Sequence, residues 1–407
     1  MQPNKMSVVS ITKSNSAVYD QVNFYDMVSK AISNLESEGI KIPSSGKVFV
    51  KPNVIMGATA KDSITTEPKF ISSLIYLLKD RGVKKIYIGD SPASYMKSSD
   101  SFKETGMAEE IKLAGGEFVN IDDSLERVEV NLPNSDMLET ISLPKKAIEA
   151  DYVINFAKLK THRIAKMTCC VKNWVGLIPQ DLRLEYHQTR LPKLVSEVHQ
   201  LLPESLCFAD AVIVGEGEGP DLSTPRFLGA LLASNDPVAL DAIAAELVNF
   251  NVNELPFTLT SFLDGIGEID RNKIVTVGDN PNELSIKLKR PTIVPYNRFP
   301  CNFILGGMCE GCFAWIMGPA LFWERDGVWE KISKNVGKPT FMLGFNAKDI
   351  NFEKHLKEGP YFVIGDCTPK TYQNDPRTIY IKGCCPGPKI SEIILKECKV
   401  NEESKWL

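Results

Sequence analysis

No long run of basic residues stands anywhere in this sequence, and its formal net charge is −4. A nucleic-acid surface needs a cationic stripe, so nucleic acid is not an expected partner. No stretch reads as a membrane span. The longest apolar segment, Phe313 to Trp323, is interrupted by Gly318 and Pro319 and is too short to cross a bilayer. It reads either as a buried helix or as an exposed patch for a docking partner. No secretory signal opens the chain: Met1-Gln2-Pro3-Asn4-Lys5 leads into Val8-Val9-Ser10-Ile11, which reads as a first strand. The expected location is cytoplasmic. No Gly-x-Gly-x-x-Gly follows the first strand and no Walker P-loop is present, which argues against a nicotinamide cofactor held by the standard fingerprint. Histidine is scarce, with four in 407 residues.

Cysteine is not scarce, and it is unevenly placed. Seven of the ten lie between Cys301 and Cys398. The phrases are Cys309-Glu310-Gly311-Cys312, Gly365-Asp366-Cys367 and Gly383-Cys384-Cys385-Pro386-Gly387-Pro388. Each of these thiols sits within two residues of a glycine, where a chain turns tightly, whereas a structural cysteine usually has apolar neighbours within a strand or helix. In a reducing compartment such a cluster favours metal binding or catalysis over disulfides. Adjacent Cys169 and Cys170 are expected to be buried in a helix.

At 407 residues the chain is too long for one core, so two domains are expected. Lys47-Val48-Phe49-Val50, Lys84 to Ile88, Phe118-Val119, Tyr152 to Phe156 and Cys207 to Ile213 read as strands. Glu67 to Arg81, Ser101 to Ala114, Pro237 to Asn249 and Thr258 to Gly265 read as helices. This alternation predicts an α/β fold: a mostly parallel sheet with helices on both faces. The chain turns proline-rich near Pro291 to Phe299, which places a boundary near residue 295. Beyond it Thr340 to Gly344 and Tyr361 to Ile364 read as strands and Lys389 to Glu397 as a helix. The expected division is residues 1–295, an anion- or substrate-binding domain, and 296–407, a smaller cysteine-rich α/β domain.

Ligands of parallel sheets sit beyond the carboxyl ends of strands, which selects the loops that matter. Lys51-Pro52-Asn53 runs on to Thr65-Thr66, either of which can cap the next helix and leave its N-terminus for an anion. Gly89-Asp90-Ser91-Pro92 closes the next strand. The strand ending at Phe156 opens into Lys158-Leu159-Lys160-Thr161-His162, followed by Thr168, Lys172-Asn173, Gly176, Arg183 and His187. If Lys172 to Ile178 borders a helix, Thr168 and Lys172 share a face. Cations, hydroxyls and imidazoles gathered there suit a carboxylate or phosphate ligand, or a proton transfer; the bland alternative is a solvated loop. Glu216-Gly217-Glu218-Gly219-Pro220 reads as a cation-binding or merely flexible loop. Asp236 before Pro237 reads as a helix cap, and Asp241 lies one turn later.

These phrases together resemble the family catalogued as domain of unknown function 362, over roughly residues 45–280. The polar block from Lys158 to His187 carries most of the likeness. The resemblance implies an association with iron–sulfur modules but no settled reaction. Many members carry a ferredoxin-like insert of closely repeated cysteines, which this sequence lacks.

The tail is similar instead to the cluster site of hydrogenase small subunits and the related subunit of respiratory complex I. That likeness implies Cys309, Cys312, Cys367 and Cys384 as ligands of one 4Fe–4S cluster, with Cys385 the alternative fourth and Cys301 a weaker candidate. A structural zinc on the same thiols is the rival occupant. The pocket is expected to hold a small anionic molecule. Lys51, Asn53, Thr66, Asp90, Ser91, Lys158, Thr161 and Asn173 would bind it, and His162, His187, Lys160 and Lys172 would carry its chemistry. The cluster would pass electrons to a ligand in that pocket or to a redox protein partner. A redox-silent enzyme or binding module with zinc is the alternative.

Overall fold

The computed structural model describes residues 6–93, 96–133, 135, 137–186, 190–203, 205–291, 298–306, 310–384, 386–387 and 389–400. Two compact units emerge: Met1–Arg183 with Arg190–Thr292, and Leu184–Thr189 with Ile293–Leu407.

The first unit is built on β1 (Ser7–Lys13), β2 (Lys47–Lys51), β3 (Lys85–Ile88), β4 (Glu117–Phe118), β7 (Tyr152–His162), β8 (Lys166–Thr168), β9 (Ser205–Glu218), β10 (Leu222–Ser234) and β11 (Ile274–Gly278). A separate antiparallel pair is formed by β5 (Arg127–Asn131) and β6 (Thr140–Pro144). The main sheet runs β11-β1-β10-β9-β7-β2-β3-β4, with β8 folded back on β7. From β9 to β4 every neighbour is parallel, while β10 is antiparallel to both β9 and β1. Helices Phe24–Ser37, Pro68–Asp80 and Met107–Ala114 bury apolar stripes (Leu35, Phe70, Leu74, Ile111) in one core. Helix Pro237–Leu247 contributes Leu240 and Ile243 to a second. The fold is the α/β arrangement that the alternation predicts.

Several local expectations change. Strand β7 does not stop at Phe156 but continues to His162, because β9 pairs with it on one side and β8 supplies a new partner for Lys160, Thr161 and His162. The polar block is therefore strand as well as loop. Strand β9 likewise runs to Glu218, so Glu216 and Glu218 lie in a hairpin with β10 rather than in a flexible loop. Thr168 ends β8 and a helix begins only at Cys170, so Thr168 and Lys172 do not share a helical face. The Ser101 to Ala114 helix is two, Ser98–Glu104 and Met107–Ala114, divided at Gly106 with its positive φ of 78°. Helix Pro68–Asp80 is capped by Glu67, whose carboxylate accepts the Lys69 N–H. Thr66 has other work: its Oγ1 donates to the Phe156 carbonyl and accepts from the Asn53 N–H.

The second unit holds a four-stranded parallel sheet, β12 (Asn302–Leu305), β13 (Thr340–Leu343), β14 (Tyr361–Ile364) and β15 (Ile379–Ile381), in that order. Strand β14 is wholly buried, in keeping with the apolar run Tyr361-Phe362-Val363-Ile364. Helix Glu310–Arg325 contains the Phe313 to Trp323 segment, and its Ile316, Met317, Ala320, Leu321, Phe322 and Trp323 are buried. For these residues the buried-helix alternative holds and the exposed docking patch does not.

Candidate functional site

Among the described residues of the first unit three lysines are fully buried: Lys51, Lys158 and Lys160. An ammonium out of water needs a partner or must lose its proton, so each one demands an account. Lys51, at the end of β2, meets Asp90 just beyond β3, with Nζ 2.6 Å from Oδ1. The Asp90 carboxylate also accepts the N–H groups of Val54 at 2.7 Å and Ser91 at 2.9 Å. Burial pushes the Lys51 ammonium down and the Asp90 carboxyl up, while each partner pulls the other back. Gly176 makes room for this pair: a β-carbon there would stand 2.1 Å from Asp90 Oδ1 and 2.7 Å from Lys51 Nζ.

Lys158 pairs with Asp210 across the β7–β9 register, with Nζ 2.8 Å from Oδ2. That oxygen also takes the Glu67 N–H at 2.9 Å. Lys160 differs from both. Its Nζ donates to Asn53 Oδ1 at 2.9 Å and to the Ile64 carbonyl, with no carboxylate in ion-pairing range among the described residues. Burial, then Lys172 and Lys158, hold it well below the ordinary lysine value.

Asn173 ties the strand ends together. Its Oδ1 accepts from Asn53 Nδ2 at 2.8 Å and Lys51 Nζ at 3.2 Å, and its Nδ2 donates to Asn155 Oδ1 at 2.7 Å. Ser91 donates to Asp122 at 2.5 Å, and Thr161 donates to the Gly217 carbonyl. His162 Nδ1 accepts the Ile164 and Ala165 N–H groups, both at 3.1 Å, which makes the neutral ring an Nε2–H tautomer. Arg183 is spent on the carbonyls of Ile178, Ser91, Pro92 and Gly176. His187 lies outside the described residues.

Lys172 is half-buried and has no hydrogen-bond acceptor or carboxylate among the described residues; its Nζ lies 5.6 Å from the centre of the Phe257 ring. Burial, then Lys51 and Arg183, bring it down to about 8. Two donors nearby in sequence are buried without hydrogen-bond partners among the described residues: Thr168 Oγ1 and Trp174 Nε1. Thr168 stands directly opposite Lys160 in the β7–β8 register. A set of buried donors lacking acceptors is rare in folded proteins and calls for a missing acceptor.

Other acidic residues are engaged structurally. Glu216 holds Arg226 at 3.1 Å and the Lys289 N–H at 2.9 Å. Asp236 caps helix Pro237–Leu247 through the Val238 and Ala239 N–H groups, as its place before Pro237 predicts. Asp241 accepts from the Cys170 and Val171 N–H groups at the start of helix Cys170–Asn173, and burial raises its carboxyl to about 6. Its oxygen and the Cys169 and Cys170 sulfurs lie within 4.8 Å of one another. Burial pushes the Cys169 thiol up to about 12 and Cys170 well above its ordinary value.

Asp210 is the important residue that sequence reading passes over. A carboxylate inside the apolar run Cys207-Phe208-Ala209-Asp210-Ala211-Val212 was the available signal, since a buried charge requires a partner.

In the second unit the cysteine phrases follow the carboxyl ends of the parallel strands. Cys367 comes after β14 and Cys384 after β15, while Cys312 lies in the helix that follows β12. Cys312 is buried; Cys367 and Cys384 are exposed. A β-carbon built on Gly365 would stand 3.2 Å from Cys312 Sγ, 3.7 Å from Cys367 Sγ and 3.6 Å from the Gly383 carbonyl oxygen. Two thiols and the residue preceding Cys384 therefore surround one point. Asp366 ties the loops: its Oδ1 accepts the Gly383 N–H at 2.9 Å and the Tyr380 hydroxyl at 2.5 Å, and its own N–H donates to the Gly383 carbonyl at 3.0 Å. Cys309 and Cys385 lie outside the described residues. Cys301 is buried, with its thiol pushed up to about 12.

Residues 48–246, just under half of the chain, match the family described as Domain of unknown function (DUF362). The resemblance read from the sequence holds over that span. A curated relative, the thylakoid-associated protein sll1697 of Synechocystis, is 25% identical over 262 residues, covering 61% of this chain and 77% of its own. Among solved structures, the lactate racemase apoprotein of Thermoanaerobacterium thermosaccharolyticum superposes with a TM-score of 0.35 at 12% identity, over 96% of this chain and 91% of that one. A Thermotoga maritima protein gives the same score and identity over 84% and 77%. Among the described residues no helix is long and apolar enough to cross a membrane.

Proposed function

We propose that this is an iron–sulfur protein. Its second unit would hold one 4Fe–4S cluster on Cys309, Cys312, Cys367 and Cys384, and its first unit a small anion at Lys160, Thr168 and Lys172. The observation that carries the cluster is the space over Gly365, faced by the Cys312 and Cys367 thiols and bordered by the residue before Cys384. In support, two thiols from separate segments, Cys312 and Cys367, face one point at the carboxyl edge of a parallel sheet, and thiolates gathered from separate loops suit an iron–sulfur centre. When bound, such a cluster supplies single-electron transfer. The chain's own part is positional. Asp366 fastens the Cys367 loop to the Cys384 loop, and Gln373 secures the Cys367 turn by donating to the Thr368 carbonyl at 2.6 Å.

The anion site is supported by the surplus of unmatched donors. Lys51 and Lys158 each have a carboxylate, whereas among the described residues Lys160 and Lys172 have none. A carboxylate or phosphate seated there would supply the acceptor that Lys172 and Thr168 lack among the described residues, and the counter-charge that Lys160 lacks beside its two neutral acceptors. His162 is the candidate for proton exchange. In this reading the protein works in the cytoplasm, whose reducing poise keeps the thiols available. Electrons would come from or go to a redox protein partner. Zinc on the same four thiols is the rival occupant.

Gly365→Ala tests the cradle without touching a ligand. Its φ of 92° is strained for alanine, and its β-carbon would crowd Cys312 Sγ. Anaerobically purified Gly365→Ala should carry at least about twofold less iron than wild type. An unchanged iron content would count against a cluster seated over Gly365.

A further inference from the structure

We propose that Lys172 is a nucleophilic amine that condenses with the carbonyl carbon of a small 2-oxo acid held by Lys160 and Thr168. This rests on the anion site proposed above and names its substrate class.

Lysines on a protein surface are solvated and often ion-paired. Lys172 is half-buried, its ammonium lies over the Phe257 ring, and it has no oxygen partner among the described residues. The groups acting on it are cations: Lys51, already matched by Asp90, and Arg183, already spent on four carbonyls. Helix Cys170–Asn173, which carries Lys172, packs against β7 and β8, which carry Lys160 and Thr168. Partial withdrawal from water beside other cations is the environment that turns lysine into a neutral nucleophile. Its value of about 8 agrees with that surrounding. The carboxylate of the substrate would give Lys160, whose acceptors Asn53 and Ile64 are neutral, a counter-charge and give the buried Thr168 hydroxyl an acceptor, with the neighbouring carbonyl toward Lys172.

The step balances without an added reagent. The neutral amine attacks the carbonyl carbon, the N–C bond forms, and the C=O π pair moves to oxygen, which takes a proton. The carbinolamine loses water as the nitrogen lone pair completes a C=N bond. In the test, borohydride delivers hydride to that carbon and leaves a stable secondary amine.

The full chain is incubated with pyruvate, reduced with borohydride and mapped by peptide mass spectrometry. Labelling should favour Lys172 at least tenfold or so over any other lysine, and should rise with pH through the value about 8. Acetone, which lacks the carboxylate, should label it far less, and Lys172→Arg should abolish the labelled peptide. Equal labelling of Lys172 and surface lysines in wild type would overturn the proposal, whatever the variant's folding. Saturable pyruvate binding by calorimetry without trapping would overturn the amine and leave the anion site standing. Absence of both would sink the two together.

Discussion

Asp90→Ala will destabilise the first unit by about 3–5 kcal/mol, because it leaves the Lys51 ammonium buried with its counter-charge gone. The loss reaches further than one ion pair. The same carboxylate accepts the Val54 and Ser91 N–H groups, so two buried backbone donors lose their acceptor as well. Among the described residues Lys51 retains Asn173 Oδ1 and the Pro52 carbonyl, both at 3.2 Å. Urea unfolding at neutral pH reads the effect as a lower midpoint. The double variant Lys51→Met with Asp90→Leu removes both charges together and should recover part of the loss, because an apolar pair of similar volume does not strand a charge. A single-variant cost below about 1 kcal/mol would mean that Lys51 is not held as an ammonium by Asp90.

Cys384→Ser will strip the second unit of its metal, while Cys385→Ser will leave it in place. Losing one of four thiolates removes a quarter of the ligand set and opens the centre to solvent, so iron content should fall at least roughly fivefold. Cys384 directly follows Gly383, whose carbonyl borders the space facing Cys312 and Cys367. Gly383 is held to Asp366 by hydrogen bonds in both directions, which fixes its backbone beside that space. The measurement is iron and acid-labile sulfide on both variants, purified anaerobically, with first-unit stability as the folding control. Loss of iron in Cys385→Ser alone would move the fourth ligand by one residue.

Apolar pattern and punctuation carry most of the fold. The run Lys47-Val48-Phe49-Val50, the Asp236-Pro237 cap and the buried strand Tyr361 to Ile364 all stand where their residues predict. What the sequence hides is polar structure maintained by tertiary partners. Lys158 and Lys160 look like loop residues because lysine seldom occupies a buried strand. They remain in β7 because Asp210, Asn53 and the Ile64 carbonyl satisfy them from other elements, and β8 folds back to extend the pairing. The Glu67 cap is hidden for a related reason. Thr66 is the better capping residue by type, but its hydroxyl already joins Asn53 to Phe156. At the candidate site, the residue types were legible and their division into matched and unmatched donors was not. Lys51 and Lys160 read alike in the chain, and only their surroundings separate them.

The cluster is tested most directly by metal and sulfide analysis of the wild-type chain, purified without oxygen, together with its electron paramagnetic resonance spectrum after reduction. About four irons and four sulfides per chain, with broad absorbance near ~400 nm, are the predicted result. One zinc per chain with no sulfide, or no bound metal at all, would contradict it.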